Sequence, residues 1–406
     1  MFLRRIALLI LVIVATPHHR AHTAEATRFQ LRIERDIPAE TPLIAELPSN
    51  VAPGSYLLQV PEGRSYAAQV FEDGGKSHIA TLLPRLPGRS ELICTLQPAP
   101  STGNGGVAFQ SSPERVRVEI DGQLLTEYRA SDGPKPYYYP VIGPTGQPCT
   151  RAYPMAQVEG EDRDHNHQRS FWFTHGNVDG VDFWAADPLN PPRPNYGTIK
   201  ETSRKVVTTG PVVGMLRTTD DWLGPDGQVL CQDERVVRFY NTRDARVLDF
   251  DIVIRATAKP VTFKDTKEGM FGLRLASSMD VKRKQGGKII NAEGITDQQA
   301  WGKASPWVDY TGPVAGETVG VAILNHPQSF RYPTTWHVRD YGLFAANPFG
   351  WSDFGLKKSG DHTIPAGGRI AFQYRIVLHK GDTATAGIPQ VFDAYAQPPQ
   401  LRAVTE

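Results

Sequence analysis

The chain is poor in cysteine and in long apolar runs, and each scarcity removes a class of protein. Cys94, Cys149 and Cys231 are three in number and far apart, so they prescribe no disulfide framework; an oxidising compartment would allow one bridge and leave one thiol over. No two are spaced as a CxxC pair, which takes away the usual cysteine-based zinc site. The longest unbroken apolar run, Ile6 to Ala15, covers ten residues, half of the roughly 20 that a membrane-spanning helix requires. Neither charge is in surplus. Lys and Arg number 44 against 43 Asp and Glu, intermixed along the chain, and without a basic stripe nucleic acid is not an expected partner. A GxSxG elbow, a P-loop, an HExxH helix and a dinucleotide glycine fingerprint are missing, so none of the reactions those motifs announce is indicated.

What is present starts with Arg4 and Arg5, the short apolar run, and the small-x-small triplet Ala24-Glu25-Ala26. That is the layout of a secretory signal peptide over residues 1–26, with an uncleaved N-terminal anchor as the alternative. The mature protein is expected to be exported, to the periplasm or the cell surface, with no integral membrane segment after cleavage.

The remainder reads as antiparallel β. In "RVLDFDIVI", residues 246–254, Leu248, Phe250, Ile252 and Ile254 share one face, while Asp249 and Asp251 share the other; that period of two makes a half-buried strand. Asp121-Gly122 and "GPDG" at 224–227 each separate two such runs, as hairpin turns requiring positive φ do. One helix is predicted, around Ile388 to Ala396, stopped by Pro398 and Pro399. The stretch "QPAPSTGNGGVAFQSSP", residues 97–113, has linker composition. It divides a small β-sandwich domain at 27–96 from a large antiparallel β-sandwich domain at 114–396, followed by a tail at 397–406. The fold class is all-β, with two large sheets packed face to face in the second domain.

The chemistry concentrates in two windows. Of eleven histidines, three precede residue 27, and five of the other eight fall in "DHNHQRSFWFTH" (164–175) and "NHPQSFRYPTTWHVRDYGLF" (325–344). An extended first window would put His165, His167, Arg169, Phe171, Phe173 and His175 on one face. Histidines beside an arginine do not suit an ordinary core, because buried charge must be paired. In the second window His337, Arg339 and Tyr341 would share a face, opposite Trp336, Val338 and Asp340. His165, His167, His175 and His337 are candidates for general acid–base work. Glu159 or Asp164 would orient the imidazole that acts as base, and Tyr341 would donate a proton or a hydrogen bond. Arg169, Arg339 and His326 are candidates to hold substrate oxygens, Asp164 among them, with Trp172 and Trp336 as aromatic surfaces for a sugar. Three alternatives remain open. His165 and His167 could ligate a divalent metal, zinc or calcium, with a carboxylate. The histidines could merely satisfy buried hydrogen bonds, and Arg339 could form a structural pair with Asp340. "WGKASPWVDYTG", residues 301–312, adds Trp301, Trp307 and Tyr310 as sugar platforms or core.

The segment "YYYPVIGPTGQPCTRAYPMAQVEGEDRDHNHQRSFWFTHGNVDGVDFW", with "WVDY" and "NHPQSFRYPTTWHVRDYGLFAANPFG", resembles the exported bacterial "PmoA family" over roughly residues 114–395. A methane monooxygenase subunit, which that label suggests, would cross the membrane several times and does not fit this chain. Where the family often carries histidine, this chain has Gln168. The resemblance implies a large β-sandwich similar to galactose-mutarotase-like proteins and a setting among sugar-processing enzymes. Together these readings predict an exported carbohydrate-active enzyme, with a small-molecule sugar or keto-sugar on the concave face of the large sandwich. The reaction would be lyase, epimerase or hydrolase chemistry. A non-catalytic carbohydrate-binding cell-surface protein, and a metal-dependent enzyme using the same histidines, are the alternatives.

Overall fold

The computed structural model describes residues 27–48, 51–100 and 105–404; the signal-peptide reading falls outside the described residues. The protein is all-β, and its one α-helix among the described residues, Ile388–Ala396, lies where the sequence predicts it. Its strands form three large antiparallel sheets and one two-stranded sheet, Val261–Phe263 with His362–Ile364.

The N-terminal sheet has seven strands. Alternation in Thr27–Ile33 buries Phe29, Leu31 and Ile33, and the sheet curls round that core until its edge strands, Thr41–Leu47 and Gln400–Ala403, approach one another. The second edge is a correction to the sequence reading. Residues 397–406 are not simply a tail, because Gln400–Ala403 pairs with Thr27–Ile33 and buries Leu401. The linker is also shorter than 97–113. The strand Ser90–Pro98 runs into it, and Val107–Ser111 is already an edge strand of the second sheet, held there because Val107 is buried and Phe109 packs on Phe239.

The large domain is a sandwich of two eight-stranded sheets. The front sheet runs, from one edge, through Trp336–Val338, Leu343–Ala346, Gly269–Arg274, Phe171–His175 and Tyr137–Val141, then Gln123–Arg129, Arg115–Ile120 and Val107–Ser111. The back sheet contains Thr198–Thr208, Val213–Leu223, Val229–Tyr240, Arg246–Ala256 and Arg369–Lys380, then Glu317–Asn325, Trp307–Val314 and Lys288–Asn291. Between them lies a dry aromatic core in which Phe171, Phe250 and Phe271 meet edge to face. Leu248, Phe250, Ile252 and Ile254 all point into it, as their alternation requires. The opposite face of that strand is only partly solvated. Asp249 there is buried, accepts two hydrogen bonds from Arg375 at 2.6 and 2.8 Å, and one from the Tyr240 hydroxyl.

The N-terminal sheet docks on the back sheet, with Phe71 and Ala80 packed among Val213, Met215 and Val236. Gln69, almost fully buried, donates to the Thr208 hydroxyl and to the carbonyls of Thr209 and Val213, and accepts from the amides of Val212 and Val213. Arg217 meets Asp73 through two bonds of 2.9 Å. All three cysteines are free and buried. No helix among the described residues is long and apolar enough to cross a membrane.

Candidate functional site

Strand register assembles the floor of the site. On the front sheet His337 pairs with Ala345, Ala345 with Gly272, Gly272 with Trp172, and Trp172 with Tyr137. These residues form one cross-strand row on the face turned away from the back sheet, where Tyr137, Trp172 and Ala345 pack with Trp184 and Leu343. Gly272 makes room there, since a Cβ would stand only 3.0 Å from the Trp172 indole lying over it. Trp172 and Trp184 contact edge to face, their ring centroids 5.3 Å apart.

The first histidine window is not the single extended strand that its alternation predicts. The strand begins only at Phe171. Residues 164–170 form a turn in which the Gln168 amide donates to the His165 carbonyl and His165 and Ser170 take φ of +48° and +55°. Such left-handed backbone costs a non-glycine residue roughly 1 kcal/mol and persists where surroundings hold it. Arg151 is what holds it. Its fully buried guanidinium donates to the carbonyls of Asp162, Asp164 and His165 and, at 2.6 Å, to the Asp164 carboxylate.

Asp164 organises the polar centre. It accepts from Arg151, from Arg274 at 3.0 Å, and from His165, whose Nδ1 lies 2.9 Å from Oδ2. Burial would raise its carboxyl, but the His165 hydrogen bond and the Arg274 and Arg151 charges outweigh this and hold it well below the usual range. In the neutral ring, with Nδ1 committed to Asp164, the other nitrogen of His165 carries the lone pair. The side chain is 41% exposed. The ring stacks on Tyr341 at 5.3 Å and 10°, which joins the two histidine windows at one place. Arg274 lies over the same phenol ring at 4.8 Å, while one of its amino groups donates to Gln168.

The remaining predicted residues divide. His167 stands 5.9 Å from His165 and beside Trp184. Its Nδ1 faces the Asn190 amide at 3.3 Å, and because that amide nitrogen also donates to the Ala185 carbonyl, the imidazole acts as acceptor there and its Nε2 carries the proton. Burial, then the nearby Lys135 charge, lower its pKa to about 3. His337 donates Nδ1–H to the Lys267 carbonyl at 2.7 Å. Its Nε2 is buried without a protein partner, and burial lowers its pKa to about 3. Arg339, in the turn after His337, lies 5.5 Å over Tyr341 and 5.7 Å over Trp301. It does not pair with Asp340, which accepts from Gln298 instead.

Six residue assignments need correction. His175 points into the sandwich core with Phe171 and Phe173; it lies against Phe263 and Phe349, and its Nε2 is bonded to the Lys264 carbonyl. Arg169 is buried, and its guanidinium is already taken up by Asp187, through bonds of 2.6 and 3.3 Å, and by the Asp132 carbonyl. Glu159 is exposed on a neighbouring surface and orients no imidazole; Asp164 does so. His326 sits on the far side of the back sheet against Tyr395, because it follows a back-sheet strand rather than a front-sheet one. Trp336 faces inward, its indole donating to the Ser305 carbonyl, and Trp172 lies fully buried beneath the site. Among the described residues no three His, Cys, Asp or Glu side chains are grouped to hold a metal, so His165 and His167 lack a third ligand.

Three contributors escape the sequence reading: Arg151, Arg274 and Glu268. Arg274 carried a signal, as the one charged residue in a strand buried along its whole length, Gly269–Arg274. Glu268, raised above the ordinary range by burial, is close enough to His165 and Lys267 to feel both.

A model of the family DUF6807, described as a family of unknown function, matches residues 115–393. A comparison with curated protein sequences gives no match. Among solved structures, the chain is similar to a protein in glycosyl hydrolase family 38 from Enterococcus faecalis, at 10% identity and a TM-score of 0.43 over 95% of this chain and 48% of that one. It is similar too to an alpha-mannosidase from Enterococcus faecalis V583, at 11% identity and a TM-score of 0.42 over 94% of this chain and 46% of the other. The chain thus spans about half the length of each.

Proposed function

The chain belongs to the DUF6807 family, whose function is unknown, and from that premise we propose that it is an exported carbohydrate-active enzyme working by acid–base chemistry on the outward face of the front sheet. The observation that carries this reading is the Asp164–His165 pair. A carboxylate fixes one imidazole nitrogen and the other has no protein partner among the described residues, on a partly exposed ring stacked on a phenol that the Arg274 guanidinium also covers. That is the constellation of an oriented general base. Under this reading His165 removes a proton from the sugar, the Nε2–H of His167 binds a ring or leaving oxygen, and Arg274 stabilises negative charge as it develops. Trp172 and Trp184 support the position of His167 from below. The signal-peptide layout supports export, and the likeness of the two motif windows to PmoA-family proteins supports sugar as the substrate class.

The test is turnover of a panel of glycosides and their keto derivatives by the purified protein, with and without chelator. His165→Ala is expected to lose about 10²–10⁴-fold in kcat on whichever substrate is turned over, with chelator neutral. Full activity in His165→Ala would refute the assignment. If no member of the panel is turned over while a sugar still binds, the non-catalytic alternative takes its place.

A further inference from the structure

Resting on that reading, we propose that the sugar is acidic, a uronic-acid residue whose carboxylate is held by Arg339, and that the reaction is β-elimination from that residue.

The argument starts from charge matching. Around Tyr341 every other cation has a carboxylate. Arg151 and Arg274 share Asp164, and Lys282 and Arg283 share Asp162 at 2.7 and 2.9 Å. A third carboxylate, Asp280, lies beneath, within 3.5 Å of Arg283, with its pKa raised by burial to about 6. Arg339 alone among these has neither a carboxylate nor a side-chain hydrogen bond among the described residues; its guanidinium lies over the faces of Trp301 and Tyr341. Its backbone is fixed, with its amide donating to the Leu343 carbonyl at 2.7 Å and its carbonyl accepting from Gly342. A planar guanidinium lying over two rings, beside an oriented base and without a carboxylate of its own, matches a carboxylate in geometry and in sign.

A bound carboxylate also explains what the base would do. Neutralising it acidifies the C–H on the adjacent ring carbon. His165 Nε2 takes that proton, and the released pair forms a double bond to the next carbon. The C–O bond at that carbon breaks, and the leaving oxygen takes a proton from the Tyr341 hydroxyl. The imidazolium then returns the proton to the phenolate through solvent, so the cycle needs no oxidant or reductant.

The experiment uses the full chain. Binding of D-galacturonate and D-glucuronate is compared with D-galactose and D-glucose by calorimetry, and oligouronides are offered while the ultraviolet absorbance of an unsaturated uronate product is followed. Uronates should bind at least about tenfold tighter than the neutral sugars, as a charge-assisted contact provides. Arg339→Gln should erase that preference while unfolding at the wild-type temperature, and Arg339→Lys should restore part of it. His165→Ala should bind uronate normally and give no absorbance change. Equal affinity for acidic and neutral sugars, unchanged in Arg339→Gln, overturns the inference, and uronate binding without an unsaturated product overturns the elimination. Turnover of neutral glycosides with no role for Arg339 removes this inference and leaves the acid–base reading standing. Failure to bind or turn over any sugar removes both.

Discussion

At the scale of single residues, the histidines that look alike in sequence have different jobs, and burial decides which. His165 is half-exposed and tied to Asp164. His337 and His175 are buried with their pKa values lowered to about 3 and about 4, in both cases chiefly by desolvation. The last two make a stability prediction. An unfolded histidine takes up a proton near pH 6.5, whereas the folded ones do so only near 4 or below. Stability that is full above pH 6.5 is therefore lost as pH falls from there toward 4, by up to about 1.4 kcal/mol per pH unit for each such histidine. Urea unfolding at pH 7, 5.5 and 4.5 should show this slope, and His337→Gln should make it shallower by about one proton. An unchanged slope would mean that His337 is already protonated in the folded state. Arg169 teaches the same lesson as His175. Its position beside histidines suggested a ligand clamp, yet a buried Asp187 eighteen residues away in sequence consumes it, and no local pattern announces such a partner.

At the scale of elements, period-two alternation was readable where strands are long and one face is dry, as in Arg246–Ala256. The turn at Asp121-Gly122 was equally legible, both residues taking the positive φ such a hairpin needs. The reading failed where a short strand follows a turn. Continuing the alternation of Phe171–His175 back to His165 assumes extended backbone that Arg151 bends into a turn, and Arg151 reaches that turn only through tertiary structure. The C-terminal strand Gln400–Ala403 was invisible for a related reason, since four residues carry little pattern and their partner lies at the other end of the chain. Removing residues 397–406 should strip the edge from Thr27–Ile33 and expose Phe29 and Leu31. We expect proteolysis within residues 27–98 to accelerate about tenfold or more, as a loss of roughly 1.4 kcal/mol of local stability implies. Protection equal to that of the full chain would show that the strand adds nothing to the sheet.

At the scale of the whole molecule, the front sheet carries the proposed chemistry and the back sheet carries the docked N-terminal sheet, so under this reading the two outward faces of one sandwich have separate roles. This division explains why His326 and His337, eleven residues apart, end on opposite sides of the domain: the first follows a back-sheet strand and the second lies within a front-sheet strand. It also explains why Asp164 and Tyr341, far apart in sequence, frame the same imidazole. The central claim is that Asp164 and His165 act as one unit at that place. The most direct measurement is a double-mutant cycle in turnover, using Asp164→Asn, His165→Ala and the double variant on one substrate. If the pair is a single base, His165→Ala alone should cost nearly as much as the double change, because the carboxylate has nothing left to orient. Losses that simply multiply, or a His165→Ala protein as active as the wild type, would contradict the account.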